Sequence, residues 1–127
     1  MIKNNKFKIC ILGAGFGGIS TLANLKELSK QKDVEITLIS NKNYFLFTPL
    51  LHEVATGEVR PYNVIYPIEK LKLNLFNFKF IEDLVINIDF DKKFVKTSNS
   101  DVYYDYLVIG LGSVTNFYNI ESVKKNA

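Results

Sequence analysis

One cysteine and one histidine are all that the 127-residue sequence offers toward a disulfide or a Cys/His metal site. Cys10 has no partner for an internal disulfide, and it falls inside the first apolar run, where a small buried hydrophobe is expected rather than a redox thiol. His52 has no Cys or His companion at ligand spacing, so no metal site is predicted. No run approaches the ~18 apolar residues of a membrane span, and no transmembrane helix is predicted. The lysines are scattered, as at Lys3, Lys6, Lys26, Lys72 and Lys93, and no basic block stands behind the net charge of +3. Nucleic-acid binding is therefore not predicted. The amino terminus, Met1-Ile2-Lys3-Asn4-Asn5-Lys6, is basic but lacks the apolar segment and small-residue cleavage site of a secretory signal. A cytoplasmic chain is expected.

What the composition allows is one ordinary globular domain. With 47% hydrophobic and 23% charged residues the chain can bury a real core, yet at this length it is short for an enzyme that must hold both a dinucleotide and a substrate.

The feature that organises the chain is a glycine cluster. Gly13-Ala14-Gly15-Phe16-Gly17-Gly18 follows the apolar run of residues 7–12 and precedes a stretch with helical spacing. Gly13, Gly15 and Gly18 fit G-x-G-x-x-G in the context that makes it informative, a strand entering the turn and a helix leaving it. Each glycine has its own task. Gly13 allows the tight turn, Gly15 lets a pyrophosphate approach bare backbone, and Gly18 lets the helix pack closely on the strand. The first amides and the positive dipole end of that helix, at Phe16 and Gly17, would face the phosphates. An ordinary strand-turn-helix corner fits the same letters. With both flanking elements present, nucleotide binding is the better reading.

Residues 7–12 read as a nearly continuous buried strand, the mark of a parallel sheet covered on both faces. Ile19, Leu22, Ala23, Leu25 and Leu28 form one apolar stripe at helical spacing. Gln31-Lys32-Asp33 is a polar turn, and Val34-Glu35-Ile36-Thr37-Leu38-Ile39 is a second strand rich in β-branched residues. A βαβ crossover is right-handed almost without exception, so strand two is expected parallel beside strand one. In a dinucleotide fold the residue ending strand two faces the adenosine ribose, where an acid accepts hydrogen bonds from both hydroxyls. Here that position is Ser40, followed by Asn41.

The next stretch, Asn43-Tyr44-Phe45-Leu46-Phe47-Thr48-Pro49-Leu50-Leu51, is unusually aromatic for a segment leaving a strand end. Core packing and a wall against a flat ring system fit it equally, with Thr48 offering a hydroxyl and Pro49 a rigid, donor-free turn. Residues 50–55 predict a short helix broken at Thr56-Gly57, and Pro67-Ile68-Glu69-Lys70-Leu71 predicts another helix start with proline in its first turn. A third strand over 77–81 precedes short strands over 84–88, 94–97 and 102–104, a small antiparallel meander. Residues 106–110 return as a buried strand. Leu111-Gly112-Ser113 follows as a tight loop, either a second glycine approach to a ligand or a plain turn.

Three segments together resemble the two-dinucleotide-domain flavoprotein oxidoreductases, and within them the type II NADH dehydrogenases (NADH:quinone oxidoreductases). They are Ile11-Leu12-Gly13-Ala14-Gly15-Phe16-Gly17-Gly18; Tyr44-Phe45-Leu46-Phe47-Thr48-Pro49-Leu50-Leu51 with Val54-Ala55-Thr56-Gly57; and Tyr104-Asp105-Tyr106-Leu107-Val108-Ile109-Gly110-Leu111-Gly112-Ser113 with Thr115-Asn116-Phe117. The first is common to many flavoproteins, whereas the second is much more particular to this family. The resemblance implies FAD. Its pyrophosphate would lie at Gly13, Gly15 and Gly18, its isoalloxazine ring beside Phe47, Thr48 and Pro49, and its flavin side under Gly110, Leu111, Gly112 and Ser113. Ser40 departs from the acid found in many relatives at the ribose.

The resemblance also implies an α/β fold, a Rossmann-like parallel sheet of order 3-2-1-4-5 with a small antiparallel β-meander. Residues 1–127 are then expected to be the amino-terminal part of a discontinuous, here incomplete, FAD-binding domain. The NADH-binding insert, the returning Gly-Asp strand, the quinone-site segment and an amphipathic carboxyl-terminal anchor have no counterpart in the chain. Strand four, with Leu107, Val108 and Ile109, is expected to be an edge that invites self-association.

The activity implied is transfer of a hydride from NADH to FAD and of two electrons onward to a membrane quinone, by a parent enzyme peripheral on the inner face of the cell membrane. The chemistry is the flavin's. No catalytic acid, base or nucleophile is assigned, and His52 and Glu53 read as surface or helix residues. A different class stays open: a catalytically silent dinucleotide-binding module. A sulfide:quinone oxidoreductase is disfavoured, because that chemistry needs reactive cysteines and Cys10 sits in a predicted buried strand.

Overall fold

The computed structural model describes residues 6–70, 75–114, 116 and 118–126. Its elements run β1 (Phe7–Leu12), α1 (Phe16–Asn24), β2 (Val34–Ser40), β3 (Tyr44–Leu46), α2 (Leu51–Thr56), β4 (Ile65–Pro67), β5 (Phe78–Glu82), β6 (Val85–Asp89), β7 (Phe94–Thr97), β8 (Asp101–Tyr103), β9 (Tyr106–Ile109) and α3 (Glu121–Asn126). β1 and β2 pair in parallel, from Phe7 opposite Val34 to Leu12 opposite Ile39, with α1 crossing between them. β5 adds in parallel to β2 and β9 adds in parallel to β1. The sheet order is thus β5-β2-β1-β9, the expected 3-2-1-4.

Strand alternation decides the layers, because successive side chains point to opposite faces. Ile9 and Ile11 of β1 with Val34, Ile36 and Leu38 of β2 face α1, where Leu22 is buried among them and Ile19, Leu25 and Leu28 pack on the cluster. Cys10 and Leu12 of β1 with Ile39 of β2 face the other way. There they meet Val95 of β7 and the half-polar ring of Tyr104 in the meander β6-β7-β8. A sheet covered on both sides explains why β1 and β2 read as continuous apolar runs.

Phe7 is an exception within the first run. It is exposed, and its ring lies 5.1 Å from that of Tyr106 across the β1–β9 pair. β9 lies at the edge of the parallel sheet, with Leu107 and Val108 half-buried and Ile109 exposed.

Two local expectations are corrected. Pro67 does not start a helix; it ends β4, which pairs antiparallel with β3, Tyr44 opposite Pro67 and Leu46 opposite Ile65. A proline at the end of a short edge strand costs no ladder hydrogen bond, so the ring that suits a helix start suits this place as well. A 3₁₀ turn begins one residue later, at 68–70, and Leu71 lies outside the described residues. The apolar stripe after the glycines is likewise not one helix. α1 ends at Asn24, whose Nδ2 donates to the Ser20 carbonyl at 2.8 Å, and Ala23 is exposed rather than on the stripe. Leu28 reaches the core from a separate 3₁₀ turn, Leu28–Lys30. Thr115 and Phe117, quoted for the family resemblance, and residues 1–5 lie outside the described residues.

The meander is tied to the tip of the parallel sheet by Asp83. Its amide donates to the Ser40 carbonyl at 3.0 Å. Its carboxylate accepts from the Leu84 amide at 2.7 Å and from both the amide and the side-chain nitrogen of Asn99 at 3.0 Å. Burial pushes this carboxyl up, but hydrogen bonds from Thr97, Leu84 and Asn99 together outweigh it and hold the pKa below the ordinary 3.8. A depressed carboxylate pKa stabilises the fold above the unfolded value, and that contribution is lost as pH falls through the folded one. Asp83→Asn turns an acceptor into a donor facing the Asn99 donors. It is expected to lower the melting temperature at pH 7 and to narrow the gap from wild type below pH 4, which thermal melts across pH will read.

Candidate functional site

The carboxyl ends of the four parallel strands gather most of the singled-out residues, the place where open α/β sheets bind ligands. β1 runs into Gly13, whose φ is +94° and whose amide donates to the Ile39 carbonyl at 2.7 Å. β9 runs into Gly110, whose amide donates to the Leu12 carbonyl at 2.8 Å. These two strand exits touch. A Cβ on Gly13 would fall on the Gly110 carbonyl oxygen, and one on Gly110 would lie 3.1 Å from the Gly18 amide. A Cβ on Gly18 would in turn fall on the Gly13 carbonyl oxygen. Gly13, Gly18 and Gly110 therefore form one backbone-to-backbone contact between β1, α1 and β9.

Gly13 and Gly18 do what the spacing predicts, with an added partner the spacing does not contain. Gly110 lies 92 or more residues away in sequence, and only the pairing of β9 with β1 brings it in. Gly17 is in ordinary contact, its Cβ position 3.9 Å from the Gly110 Cα.

Gly15 is different. It precedes α1 in an extended conformation, φ −83° and ψ −167°, and no heavy atom lies within 4 Å of where its Cβ would be. Its carbonyl accepts the first helical bond, from the Ile19 amide at 2.9 Å. No side chain caps the head of α1 and its first turn holds no acid. Amides of the first turn of a helix have no partner within it, so this end presents free donors and the positive end of the helix dipole toward the open space over Gly15. The arrangement suits a dianionic diphosphate.

Around that space stand the other candidates. Phe16 projects from the first turn of α1 and meets Phe45 edge-on at 5.0 Å and Phe47 at 5.7 Å between ring centroids. Aromatic pairs at such spacings are favourable by about 0.5–1.5 kcal/mol beyond the area they bury. They tie the aromatic segment to the glycine turn. The two uses of that segment are divided between its residues: Phe45 packs on the α1-side core, whereas Phe47, Thr48 and Pro49 are exposed at the start of a 3₁₀ turn, Thr48–Leu50. Gly112, at φ +72° with open space beside it, and Ser113 continue an exposed loop from Gly110. His52 and Glu53 lie on the outer side of α2, 3.8 Å apart, with His52 exposed.

At the tip of β2, Ser40 is nearly buried and its Oγ accepts from the Lys42 amide at 3.2 Å, while Asn41 is exposed. Sequence reasoning passed over Glu82, which ends β5 directly opposite Ser40 in the sheet register. The available signal was its place as a charged residue closing a parallel strand, the criterion already applied to Ser40.

Cys10 lies in the meander-side core, and burial pushes its thiol up to about 12. At neutral pH it is a protonated thiol, neither nucleophile nor metal ligand. Among the described residues no group of three His, Cys, Asp or Glu side chains could hold a metal ion, and no helix is long and apolar enough to cross a membrane.

Comparison with known proteins supplies the remaining facts. Residues 7–127 match the family model of the pyridine nucleotide-disulphide oxidoreductases. The chain is 34% identical to the type II NADH:quinone oxidoreductase of Staphylococcus aureus over 120 residues, which are 94% of this chain and 30% of that protein. Among solved structures, NDH2 of Plasmodium falciparum in complex with NADH superposes with a TM-score of 0.78 at 33% identity, covering 94% of this chain and 25% of that one. The sulfide:quinone oxidoreductase of the hyperthermophilic bacterium Aquifex aeolicus superposes with a TM-score of 0.78 at 36% identity, covering 87% of this chain and 25% of that one. The chain thus spans 25–30% of the length of these relatives.

Proposed function

Because the chain belongs to the pyridine nucleotide-disulphide oxidoreductase family, we propose that it is the FAD-holding segment of an NADH:quinone oxidoreductase. The observation that carries this reading is the open space over Gly15 at the uncapped head of α1, in a turn where a side chain on Gly13 or Gly18 would run into backbone. The first-turn amides of Phe16 and Gly17 would donate to the pyrophosphate, and the helix dipole favours its charge. Phe47, Thr48 and Pro49 would flank the flavin ring, Gly110, Gly112 and Ser113 would close its other side, and Ser40 and Asn41 would lie toward the adenosine. The flavin supplies the redox chemistry, taking a hydride from NADH and passing electrons to a quinone. The chain's own part is to bind, orient and shield, so no side chain is given a proton to move.

The 36% identity to a sulfide:quinone oxidoreductase favours a second reading. Within these 127 residues Cys10 is buried with its proton held on and would supply no thiol to that reaction. The NADH-linked reading is preferred because the likeness to the type II NADH:quinone oxidoreductase extends over 94% of this chain, against 87% for the sulfide enzyme. Its test is a titration of the purified chain with FAD, followed by flavin absorbance and fluorescence. Saturable one-to-one binding is expected, and a folded chain that takes up no FAD would overturn the proposal.

A further inference from the structure

Resting on the FAD reading above, we infer that Glu82 supplies the carboxylate that holds the adenosine ribose, standing in from the neighbouring strand for the acid missing at Ser40.

The sheet places the two residues together. Ser40 and Glu82 are register partners at the tips of β2 and β5, one strand spacing of about 4.8 Å apart. Their side chains also share a face. Ser40 continues the phase of Ile36 and Leu38, and Glu82 continues that of Phe78 and Phe80, all four of which belong to the α1-side core. This is the face from which Gly13 and the head of α1 rise. Glu82 is therefore an acid beside Ser40 on the side where the dinucleotide would lie.

Its neighbours are already engaged. The Ser40 Oγ accepts from the Lys42 amide, and both carboxylate oxygens of Asp83 are held by Leu84 and Asn99. Glu82 is exposed, and among the described residues it has neither an ion-pair partner nor a hydrogen-bond donor on its side chain. An ionised carboxylate is acceptor-only with room for two hydroxyl donors, which is what a ribose diol asks for and what a serine with one lone pair taken supplies poorly. The same acid disfavours a 2′-phosphate through like charge, so the site selects an unphosphorylated ribose.

The test compares FAD with an analogue whose adenosine carries 2′,3′-dideoxyribose, each titrated into wild type, Glu82→Gln and Glu82→Gln combined with Ser40→Asp, with melting curves confirming that each is folded. Glu82→Gln is expected to weaken FAD about tenfold and to leave the dideoxy analogue unchanged, and Ser40→Asp is expected to restore FAD affinity. Equal FAD affinity in wild type and Glu82→Gln overturns the inference, as does an equal loss for both ligands. A wild-type chain that binds neither ligand overturns the FAD reading itself, and this inference with it.

Discussion

Gly18→Ala is expected to lose at least about 3 kcal/mol of stability, a drop in melting temperature on the order of 10 °C. Overpacking a well-filled interior by one methyl commonly costs about 1–3 kcal/mol, because neighbouring side chains can rotate away. Here nothing can rotate. The added methyl meets the Gly13 carbonyl oxygen, which is backbone, and that turn is itself pinned by the Gly13 amide on Ile39 and by the approach of Gly110. Relief requires α1 to lift off β1, which pulls Leu22 and Ile19 out of the core they share with Ile9, Ile11 and Leu38. Gly17→Ala, one residue away, is the control: its methyl makes ordinary contact, and removing a glycine from a helix gains up to about 1 kcal/mol. Urea unfolding of the pair checks the claim, and a Gly18→Ala midpoint equal to that of Gly17→Ala would refute it.

Gly15→Ala is expected to do the reverse, keeping the fold and losing FAD on the order of 100-fold. Its backbone at φ −83° is open to any residue, and no atom stands within 4 Å of the new methyl. Stability should hold or rise by about 0.4–1 kcal/mol, because alanine narrows the unfolded ensemble. What the methyl fills is the space over the helix head. A diphosphate pushed outward loses hydrogen bonds to the first-turn amides, and a hydrogen bond to a charged group contributes about 1.5–3 kcal/mol. Melting curves and FAD titration on the same preparation read both halves. A folded Gly15→Ala that binds FAD like wild type would remove the diphosphate from this site. The two glycines, three residues apart, thus separate structure from binding within one motif.

How far the sequence reached can be seen in particular residues. The runs at 7–12, 34–39, 77–81, 94–97 and 106–110 are legible as strands because β-branched and aromatic composition is a local signal, and each forms a strand within a residue or so of its expected bounds. Proline suits both a helix start and the end of an edge strand, and β3, about twenty residues earlier, draws Pro67 into the strand, so the helical turn begins at residue 68. The aromatic segment could not be divided into core and surface, since alternation over three residues of β3 does not say which ring faces α1. Phe45 packs on the α1-side core, whereas Phe47 stays exposed and meets α1 only at the ring of Phe16 at its head.

The sequence by itself determined the strand-turn-helix with its three glycines, the two covered strands and the meander, because hydrophobic period and turn chemistry act over a few neighbouring residues. Only the tertiary structure decided that Gly110 closes on Gly13 and Gly18, and that Glu82 stands opposite Ser40. Those meetings follow from strand order and register. Both are set by how whole faces bury against α1 and the meander, a sum over residues far apart in the chain that no local pattern records.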